Sequence, residues 1–265
     1  MSSILVEGVS VSFPLYGGAA RSFRSRLMSS ATGGRIGSDT RSRTVVEALR
    51  DVTLRIEHGE RIALVGHNGA GKTTLLRVLS GIYPPLAGRL RVEGRIAPIF
   101  DIGLGMDPDA TGYDNIRLRG LYLGLSRREV EGKIDEIAEF TELGPFLDMP
   151  MRTYSAGMQT RLSFAVSTSV EPEILLLDEG IGAGDASFME RANARLKQFV
   201  ERSGILVLAS HDAGLLANLC TRAVRLEHGQ IADDGPLDAV MERFRIAKSA
   251  SAGGDTSSAV EGAPS

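Results

Sequence analysis

Short apolar runs separated by helically spaced segments set the pattern of this chain. Residues 62–65 and 174–177 are apolar runs of strand length, and residues 204–210 form a third. Runs of this kind suit strands that are buried on both faces of a parallel sheet. The stretch LEHGQIADDGPLDAVMERF predicts a short hairpin followed by a last helix that closes the domain.

A turn of small residues, Ser155-Ala156-Gly157, precedes a segment with apolar residues over 162–166. Ser is a favoured N-cap, so this pattern predicts a helix that begins here. The free N–H groups at the start of a helix can also bind an anion. Whether the turn is only a cap or also an anion site depends on whether the chain holds a phosphate elsewhere.

Composition limits the classes of protein to which the chain can belong. With 265 residues, 43% hydrophobic and 24% charged, it is typical of a folded protein of one or two domains. The net charge of −3 provides no basic field that would favour nucleic acid as a partner. The single cysteine, Cys220, excludes an internal disulfide and fits a reducing cytoplasm.

Neither a membrane-spanning run of roughly 18 apolar residues nor a signal peptide is evident, so we expect a protein that is not exported and does not span a membrane.

The stretch from Gly66 to Thr73 reads GHNGAGKT, a full match to the pattern G-x-x-x-x-G-K-[ST]. It follows the apolar run at 62–65 and precedes apolar residues at helical spacing, which is the context of a phosphate-binding P-loop. The glycines let the backbone wrap around a phosphate chain, Lys72 adds a charge at the β and γ phosphates, and the Thr73 hydroxyl can ligate Mg²⁺. The predicted nucleotide-binding residues, with His67 contributing its backbone, are Gly66, His67, Asn68, Gly69, Ala70, Gly71, Lys72, Thr73 and Thr74.

Asp178 and Glu179 follow the apolar run at 174–177, at the carboxyl edge of a predicted parallel sheet, where ligands bind. Asp178 would hold Mg²⁺ through its water shell, and Glu179 would polarise the water that attacks the γ phosphate. Alone, such a pair is usually a solvated strand end, but beside a P-loop it is the expected second half of a nucleotide site. His211 ends the third strand at the same edge and could hydrogen-bond the γ phosphate.

The motifs GHNGAGKT, YSAGMQ, ILLLDE, GAGDAS and SHD occur in this order. Their order and spacing resemble those of the ATP-binding subunits of ABC transporters, over residues 4 to about 247. The resemblance implies an α/β fold, namely a P-loop NTPase of ABC type with a mostly parallel core sheet, an antiparallel β subdomain and an inserted helical subdomain. It implies one ATPase domain at residues 1–248, with the helical subdomain over about 103–170. The tail at 249–265, rich in Ala, Ser and Gly, is expected to be disordered.

The resemblance also implies an ATP sandwich of two copies of the chain. Each nucleotide, with its Mg²⁺, would lie between the P-loop of one subunit and the signature turn (residues 155–159) of the other. Ser155 and Gly157 would meet the γ phosphate of the partner's ATP, and Gln159 belongs to the same set of binding residues. Asp185 would cross the interface and help to position Glu179.

Three further positions are assigned by the same resemblance. His211 would be the switch residue that reports the γ phosphate. Phe13 lies where an aromatic ring stacks on adenine, with Tyr16 as the alternative. Asp101 takes the place of the family's usual Gln, where a carboxylate could contact metal or water but would add repulsion near the phosphates.

The sequence departs from the usual L-S-G-G-Q signature, because Ala156 and Met158 give the form S-A-G-M-Q. Together with IFDIGLGMDP and GIGAGDASF, this form resembles the ATPases of exporters for O-antigen, capsular polysaccharide and teichoic-acid-type polymers, in the short form without a carbohydrate-binding domain. The resemblance implies ATP-driven export of a lipid-linked glycan through a separate membrane permease. The protein would then lie at the cytoplasmic face of the bacterial inner membrane.

Two basic regions keep two interpretations each. The insert at 17–44 contains six arginines and one acidic residue. It either lies near lipid headgroups or a pyrophosphate-linked substrate, or it is a solvated loop. Its arginines are Arg21, Arg24, Arg26, Arg35, Arg41 and Arg43. The segment 111–147, with Arg117, Arg119, Arg127 and Arg128, should belong to the helical subdomain that meets the permease, or be a surface charge run.

Two other functions compete with transport. A soluble ABC-type ATPase acting on DNA or ribosomes typically carries two cassettes or long coiled insertions, and neither is present in this sequence. A nucleotide-gated regulator without catalysis would have a degraded site, whereas Lys72, Thr73, Asp178, Glu179 and His211 are all present.

Overall fold

The computed structural model describes residues 1–14, 36–38, 44–100, 103, 105–178 and 186–253. Within these ranges the strands are β1 (Ser3–Pro14), β2 (Ile36–Ser38), β3 (Thr44–Glu57), β4 (Arg61–Val65), β5 (Ala87–Glu93), β6 (Ile96–Ile99), β7 (Ile174–Asp178), β8 (Ile205–Ala209), β9 (Arg222–Glu227) and β10 (Gln230–Pro236). The α-helices are α1 (Lys72–Leu79), α2 (Gly112–Tyr122), α3 (Arg127–Glu131), α4 (Ile134–Thr141), α5 (Ala156–Ser167), α6 (Ala186–Arg202), α7 (Ala213–Leu219) and α8 (Leu237–Gly253). Two short 3₁₀ turns, Gly144–Asp148 and Met151–Thr153, precede α5.

The core sheet has the strand order β10-β9-β4-β8-β7-β6. All neighbouring pairs are parallel except β9 and β10, which form the predicted antiparallel hairpin. The three apolar runs identified in the sequence are β4, β7 and β8, and they lie side by side with β8 in the middle. Their apolar side chains are buried because helices and the second sheet cover the two faces. The predicted parallel core is therefore confirmed.

A second, antiparallel sheet has the order β2-β3-β1-β5. Alternate residues of β1 point into the core that this sheet shares with β4, β7 and β8, which is the pattern of a sheet with one solvated face. Strand β2 falls inside the arginine-rich insert and pairs with the start of β3. The six insert arginines lie outside the described residues. The predicted antiparallel β subdomain is confirmed.

Helices α2 to α5 lie between β6 and β7 in the chain and have a hydrophobic core of their own, formed by residues such as Ile116, Ile137, Leu147, Leu162 and Val166. Capping boxes at Thr111 and Ser126 fix the starts of α2 and α3. These helices are the predicted helical subdomain.

Of the four arginines in segment 111–147, Arg119 does not fit the interpretation as a surface charge run, whereas Arg127 and Arg128 are exposed. The Arg119 side chain is 1% exposed, and burial lowers the pKa of its guanidinium. The guanidinium donates a 3.3 Å hydrogen bond to Ser167 Oγ and lies 5.4 Å from the centre of the Tyr122 ring. Arg117 does lie at the surface, where it pairs with Glu131 at 2.8 Å. Helical position rather than residue type decides which arginine is buried.

Helix α8 packs against the hairpin, and a two-pronged ion pair from Arg243 to Asp233, at 2.6 and 2.9 Å, joins the two elements. The helix runs to Gly253, five residues past the predicted domain boundary at 248. The sequence KSASA continues the helix because alanine has the highest helix propensity. Residues 254–265 of the predicted tail lie outside the described residues. None of the described helices is long and apolar enough to cross a membrane.

Candidate nucleotide-binding site

The P-loop (residues 66–73) connects β4 to α1, and two of its glycines are required by their surroundings. Gly66 has φ +149°, and a Cβ at this position would lie 2.3 Å from the carbonyl oxygen of Leu226. Gly71 caps α1 in a left-handed conformation at φ +114°, where a Cβ would lie 2.9 Å from the carbonyl oxygen of Ala48. Only glycine fits both positions. The backbone of the loop therefore packs directly against β9 and β3.

A cavity of about 560 Å³ lies over the P-loop. Its lining combines the loop, one strand of the antiparallel sheet and the carboxyl edge of the core sheet, as the lining residues show: Val46, Ala48, Asn68, Gly69, Ala70, Gly71, Lys72, Thr73, Thr74, Asp178 and His211. The structure thus brings together most of the predicted nucleotide residues. Gly66 and His67 line a second cavity of about 470 Å³, to which Asn68 and His211 also contribute.

Lys72, the first residue of α1, is held against the loop. Its Nζ donates hydrogen bonds to the carbonyl oxygens of Gly66 at 2.8 Å and His67 at 3.3 Å. These bonds fix the ammonium group at the cavity lining. A compact positive charge at the N-terminus of a helix, beside a glycine-rich loop, is suited to binding a phosphate chain.

Thr73 and Asp178 meet at the edge of the core sheet. The Thr73 hydroxyl donates a 2.6 Å hydrogen bond to Asp178 Oδ2. Asp178 ends β7, whose register pairs it with Ala209 of β8, and Ala209 is in turn opposite Leu64 of β4. This register brings the P-loop and the acidic strand end to one edge. A hydroxyl and a carboxylate are the oxygen donors that Mg²⁺ prefers, so these two residues fit the ion.

His211 follows β8, the strand between the two that carry the P-loop and Asp178. It is exposed and lines both cavities. Asp212, the next residue, caps α7 by accepting hydrogen bonds from the N–H groups of Gly214 and Leu215 at 2.8 and 3.1 Å. The cap fixes the backbone that presents His211. Glu179, Asp185, Asp101 and Tyr16 lie outside the described residues.

Phe13 is near the cavity without lining it. Its Cα is opposite that of Val46, which does line the cavity, and its ring contacts Tyr83 edge-to-face at 5.2 Å between centroids. The Phe13 side chain remains 37% exposed. Stacking of Phe13 on adenine stays a prediction.

The signature turn forms the capped helix start that the sequence predicts. Ser155 has extended backbone angles, and its hydroxyl accepts a 3.3 Å hydrogen bond from the Met158 N–H. Gln159 Nε2 donates a long 3.5 Å contact to the Tyr154 carbonyl. In the described part of one chain, Ser155, Gly157 and Gln159 do not line the P-loop cavity. Their predicted contact with a nucleotide therefore requires a second copy of the chain.

Val46 and Ala48 were missed by sequence reasoning. They lie on β3, and a chain of backbone hydrogen bonds ties this strand to the P-loop: Arg50 N–H donates to the Gly229 carbonyl, and Gly229 N–H donates to the Ala70 carbonyl, both at 2.9 Å. Small apolar residues in an alternating strand carry no signal of a binding site. Only the packing of the second sheet against the loop brings them to the cavity.

Comparison with known proteins agrees with this architecture. The family model described as ABC transporter matches residues 49–182. The chain is 47% identical over 234 residues to the O-antigen export system ATP-binding protein RfbE of Yersinia enterocolitica, which covers 88% of this chain and 98% of that protein. It is 34% identical over 209 residues to the teichoic acids export ATP-binding protein TagH of Lactococcus lactis, which covers 79% of this chain and 45% of that protein.

Among solved structures, the dimeric post-hydrolysis state of the ATP-binding cassette MJ0796 bound to ADP and Pi superposes with a TM-score of 0.63 at 20% identity, over 88% of this chain and 98% of that one. At this identity the likeness shows the fold, which is that of an ATP-binding cassette. The family model and the identity to the Yersinia protein together show that the chain belongs to the ABC transporter family.

Proposed function

We propose that this protein is the ATP-hydrolysing subunit of an exporter that moves a lipid-linked polysaccharide of O-antigen type across the inner membrane through a separate permease. The observation that carries the ATPase part is the meeting of the P-loop, Asp178 and His211 around one cavity. The observation that supports the exported substrate is the 47% identity to an O-antigen export ATP-binding protein over 98% of its length.

Within this proposal the charged and hydroxyl-bearing residues of the site have distinct chemical roles. Lys72 and the N–H groups of the P-loop hold the β and γ phosphates, and Thr73 and Asp178 hold Mg²⁺. When bound, the ion neutralises charge on the phosphate oxygens. Glu179 orients and polarises the attacking water, and His211 hydrogen-bonds the γ phosphate.

The proposed active form is a dimer with two nucleotides between the subunits. The capped start of α5 supports this proposal. Its N–H groups and partial positive charge can bind a phosphate of the nucleotide that is held by the P-loop of the other copy. Ser155, Gly157 and Gln159 would contact the partner's ATP, and Asp185 would cross the interface. Phe13 would stack on adenine, and Asp101 would contact metal or water.

The permease partner is supported by apolar side chains at the surface of the helical subdomain. Leu118, Leu121 and Tyr122 on α2 are 42%, 41% and 51% exposed. Neighbouring exposed apolar residues on one helix are typical of a surface that another protein covers. A protein without a membrane-spanning helix in its described residues would reach the cytoplasmic face of the membrane through this contact.

A second candidate substrate is teichoic acid. The identity to a teichoic acids export ATP-binding protein is 34%, and this chain spans less than half of that protein. The higher identity and nearly full coverage of the O-antigen relative favour the first candidate.

The test combines a variant with purification from the native membrane. Glu179→Gln should retain ATP binding, abolish turnover and accumulate as a dimer in ATP, measured by phosphate release and by size-exclusion chromatography. The unmodified protein, purified from native membranes, should bring with it a multi-spanning permease and a lipid-linked glycan. Normal hydrolysis by Glu179→Gln would remove Glu179 from its role, and a periplasmic-binding-protein-dependent importer as the co-purified partner would overturn the export assignment.

A further inference from the structure

We infer that Arg161 and Phe188 are positioning residues that couple the start of α5 to the start of α6. The coupling would link engagement of the partner's nucleotide at Ser155 to the placement of Asp185, which precedes α6 directly in the sequence. This inference rests on the proposed function, because that function gives Ser155 and Asp185 their roles.

An aromatic cluster (Phe140, Phe164 and Phe188) joins three helices. Phe140 lies on α4, Phe164 on α5 and Phe188 on α6, and the three ring centroids are 5.8 to 6.1 Å apart. Phe164 is fully buried and Phe188 is 1% exposed. Aromatic rings packed at these distances and angles resist relative sliding because each ring fills the space between the other two. The cluster thus attaches the first turn of α6 to the helical subdomain.

Arg161 of α5 contacts α6 directly. Its guanidinium carbon lies 5.2 Å from the centre of the Phe188 ring, within the range of a cation–π contact. Arg161 also lies 3.8 Å from Glu142, the C-cap residue that follows α4, and Glu142 accepts a 2.6 Å hydrogen bond from Arg191 of α6. One carboxylate therefore joins a cation from each of the two helices.

A second ion pair holds the rest of α6 to α4. Arg195 donates a 2.7 Å hydrogen bond to Glu136, and its guanidinium carbon lies 4.4 Å from the centre of the Phe140 ring. The Arg195 side chain is only 17% exposed, whereas its partner Glu136 is 57% exposed, so the pair lies at the edge of the helix contact. Side-chain contacts therefore hold α6 to the helical subdomain both at its first turn and further along the helix. A shift of the start of α6 would disturb the aromatic cluster.

The positions of these contacts along the helices give them a mechanical consequence. Arg161 lies less than two turns from Ser155 on one hydrogen-bonded helix, and Phe188 lies in the first turn of α6, three residues after Asp185 in the sequence. A helix moves as a unit because its hydrogen bonds are internal. A shift of the signature turn on binding the partner's ATP would therefore be passed through Arg161 and Phe188 to the residues before α6.

The test compares Phe188→Leu with Phe199→Leu, a matched change on the same helix. Phe199 is 5% exposed but packs against the core sheet, outside the aromatic cluster. We expect Phe188→Leu to lower kcat for ATP about 10-fold to 100-fold with KM unchanged, because small misplacement of a catalytic group has effects of that size. Phe199→Leu should keep kcat. In a Glu179→Gln background, Phe188→Leu should still dimerise in ATP. Equal kcat values for the two Leu variants would overturn the inference.

A second pair of variants decides the matter if Phe188→Leu does not fold. Arg161→Gln removes the cation that α5 places over the Phe188 ring and leaves Arg191 of α6, 6.0 Å from the same ring, in place, whereas Arg161→Lys keeps a cation on α5. Low kcat in Arg161→Gln with recovery in Arg161→Lys supports the coupling, and wild-type kcat in Arg161→Gln overturns it. The proposed function is tested separately by the loss of hydrolysis in Glu179→Gln alone, so failure of one is distinguishable from failure of the other.

Discussion

The Thr73 hydroxyl donates a 2.6 Å hydrogen bond to the Asp178 carboxylate, although 105 positions separate the two residues in the chain. One residue belongs to the first turn of α1 and the other to the end of β7, so the bond spans the strand that lies between β4 and β7. Under the proposed function, this pair would hold Mg²⁺. This hydrogen bond joins the residue that follows the P-loop lysine to the acidic end of β7.

Replacing Thr73 by Val, which has nearly the same shape, should remove the hydroxyl ligand and leave the fold in place. We expect ATP turnover to fall on the order of 100-fold, the size of effect seen when one group that stabilises developing charge is removed. Thr73→Ser keeps the hydroxyl and should keep most of the activity. Phosphate release with and without added Mg²⁺ measures the difference, and equal turnover in the Val and Ser variants would exclude Thr73 as a metal ligand.

Gly66→Ala should disrupt the P-loop, because the added Cβ would meet the Leu226 carbonyl oxygen at 2.3 Å in a backbone conformation that disfavours side chains. The expected loss of stability is at least about 3 kcal/mol from crowding and backbone strain together. Gly59→Ala is the control, because Gly59 also has a positive φ, +92°, but has open space around its Cβ position. It should lose only about 1 kcal/mol. Urea unfolding and nucleotide binding of both variants check the prediction, which would be wrong if the two behaved alike.

Ser155→Ala separates the two roles of the signature turn. Loss of the cap should cost about 1 kcal/mol of stability. Ser126→Ala removes a cap of the same chemistry from α3 and should cost a similar amount. If Ser155 also contacts the partner's ATP, only Ser155→Ala should weaken ATP-dependent dimerisation in a Glu179→Gln background. Parallel losses of stability with unchanged dimerisation in both variants would leave Ser155 as a cap alone.

Leu121→Glu should prevent association with the permease while ATP hydrolysis by the purified subunit is unchanged. The reason is that a charge on the apolar surface of α2 would have to be buried on docking. Leu215→Glu on α7 is the matched control, because both leucines are 41% exposed. Co-purification of the permease with each variant measures the effect. Retention of the permease by Leu121→Glu would move the docking surface elsewhere.

The Asp233–Arg243 pair should make the attachment of α8 sensitive to acid. The hydrogen bond from Arg243 lowers the pKa of Asp233 below its usual value. A carboxylate with a lowered folded-state pKa contributes stability that is present above its unfolded pKa of about 3.9 and is lost as the pH falls through the folded value. Arg243→Gln should therefore be less stable than the wild type at neutral pH. The difference in free energy of unfolding between the wild type and Arg243→Gln, measured by denaturant titration, should shrink below about pH 4. A difference that is independent of pH would contradict this prediction.

Much of the core could be predicted from local sequence alone. The strands β4, β7 and β8 were recognisable because a strand buried on both faces must be continuously apolar, and the P-loop because its glycines, Lys72 and Thr73 are contiguous. The cap at Ser155 was likewise local. The burial of Arg119 and the contribution of Val46 and Ala48 to the cavity were not predictable, since each depends on what a distant element packs against it.

The sequence by itself determined which chemical groups this protein has and which segments become strands and helices, because hydrophobic periodicity, caps and the P-loop are properties of neighbouring residues. Tertiary structure alone decided that β8 lies between β4 and β7, so that Asp178 reaches Thr73, and that α6 is fastened to α4 and α5 by an aromatic cluster. These relations depend on contacts between residues far apart in the chain. No local pattern encodes which strand becomes the neighbour of which, because that choice is made by the packing of the whole core.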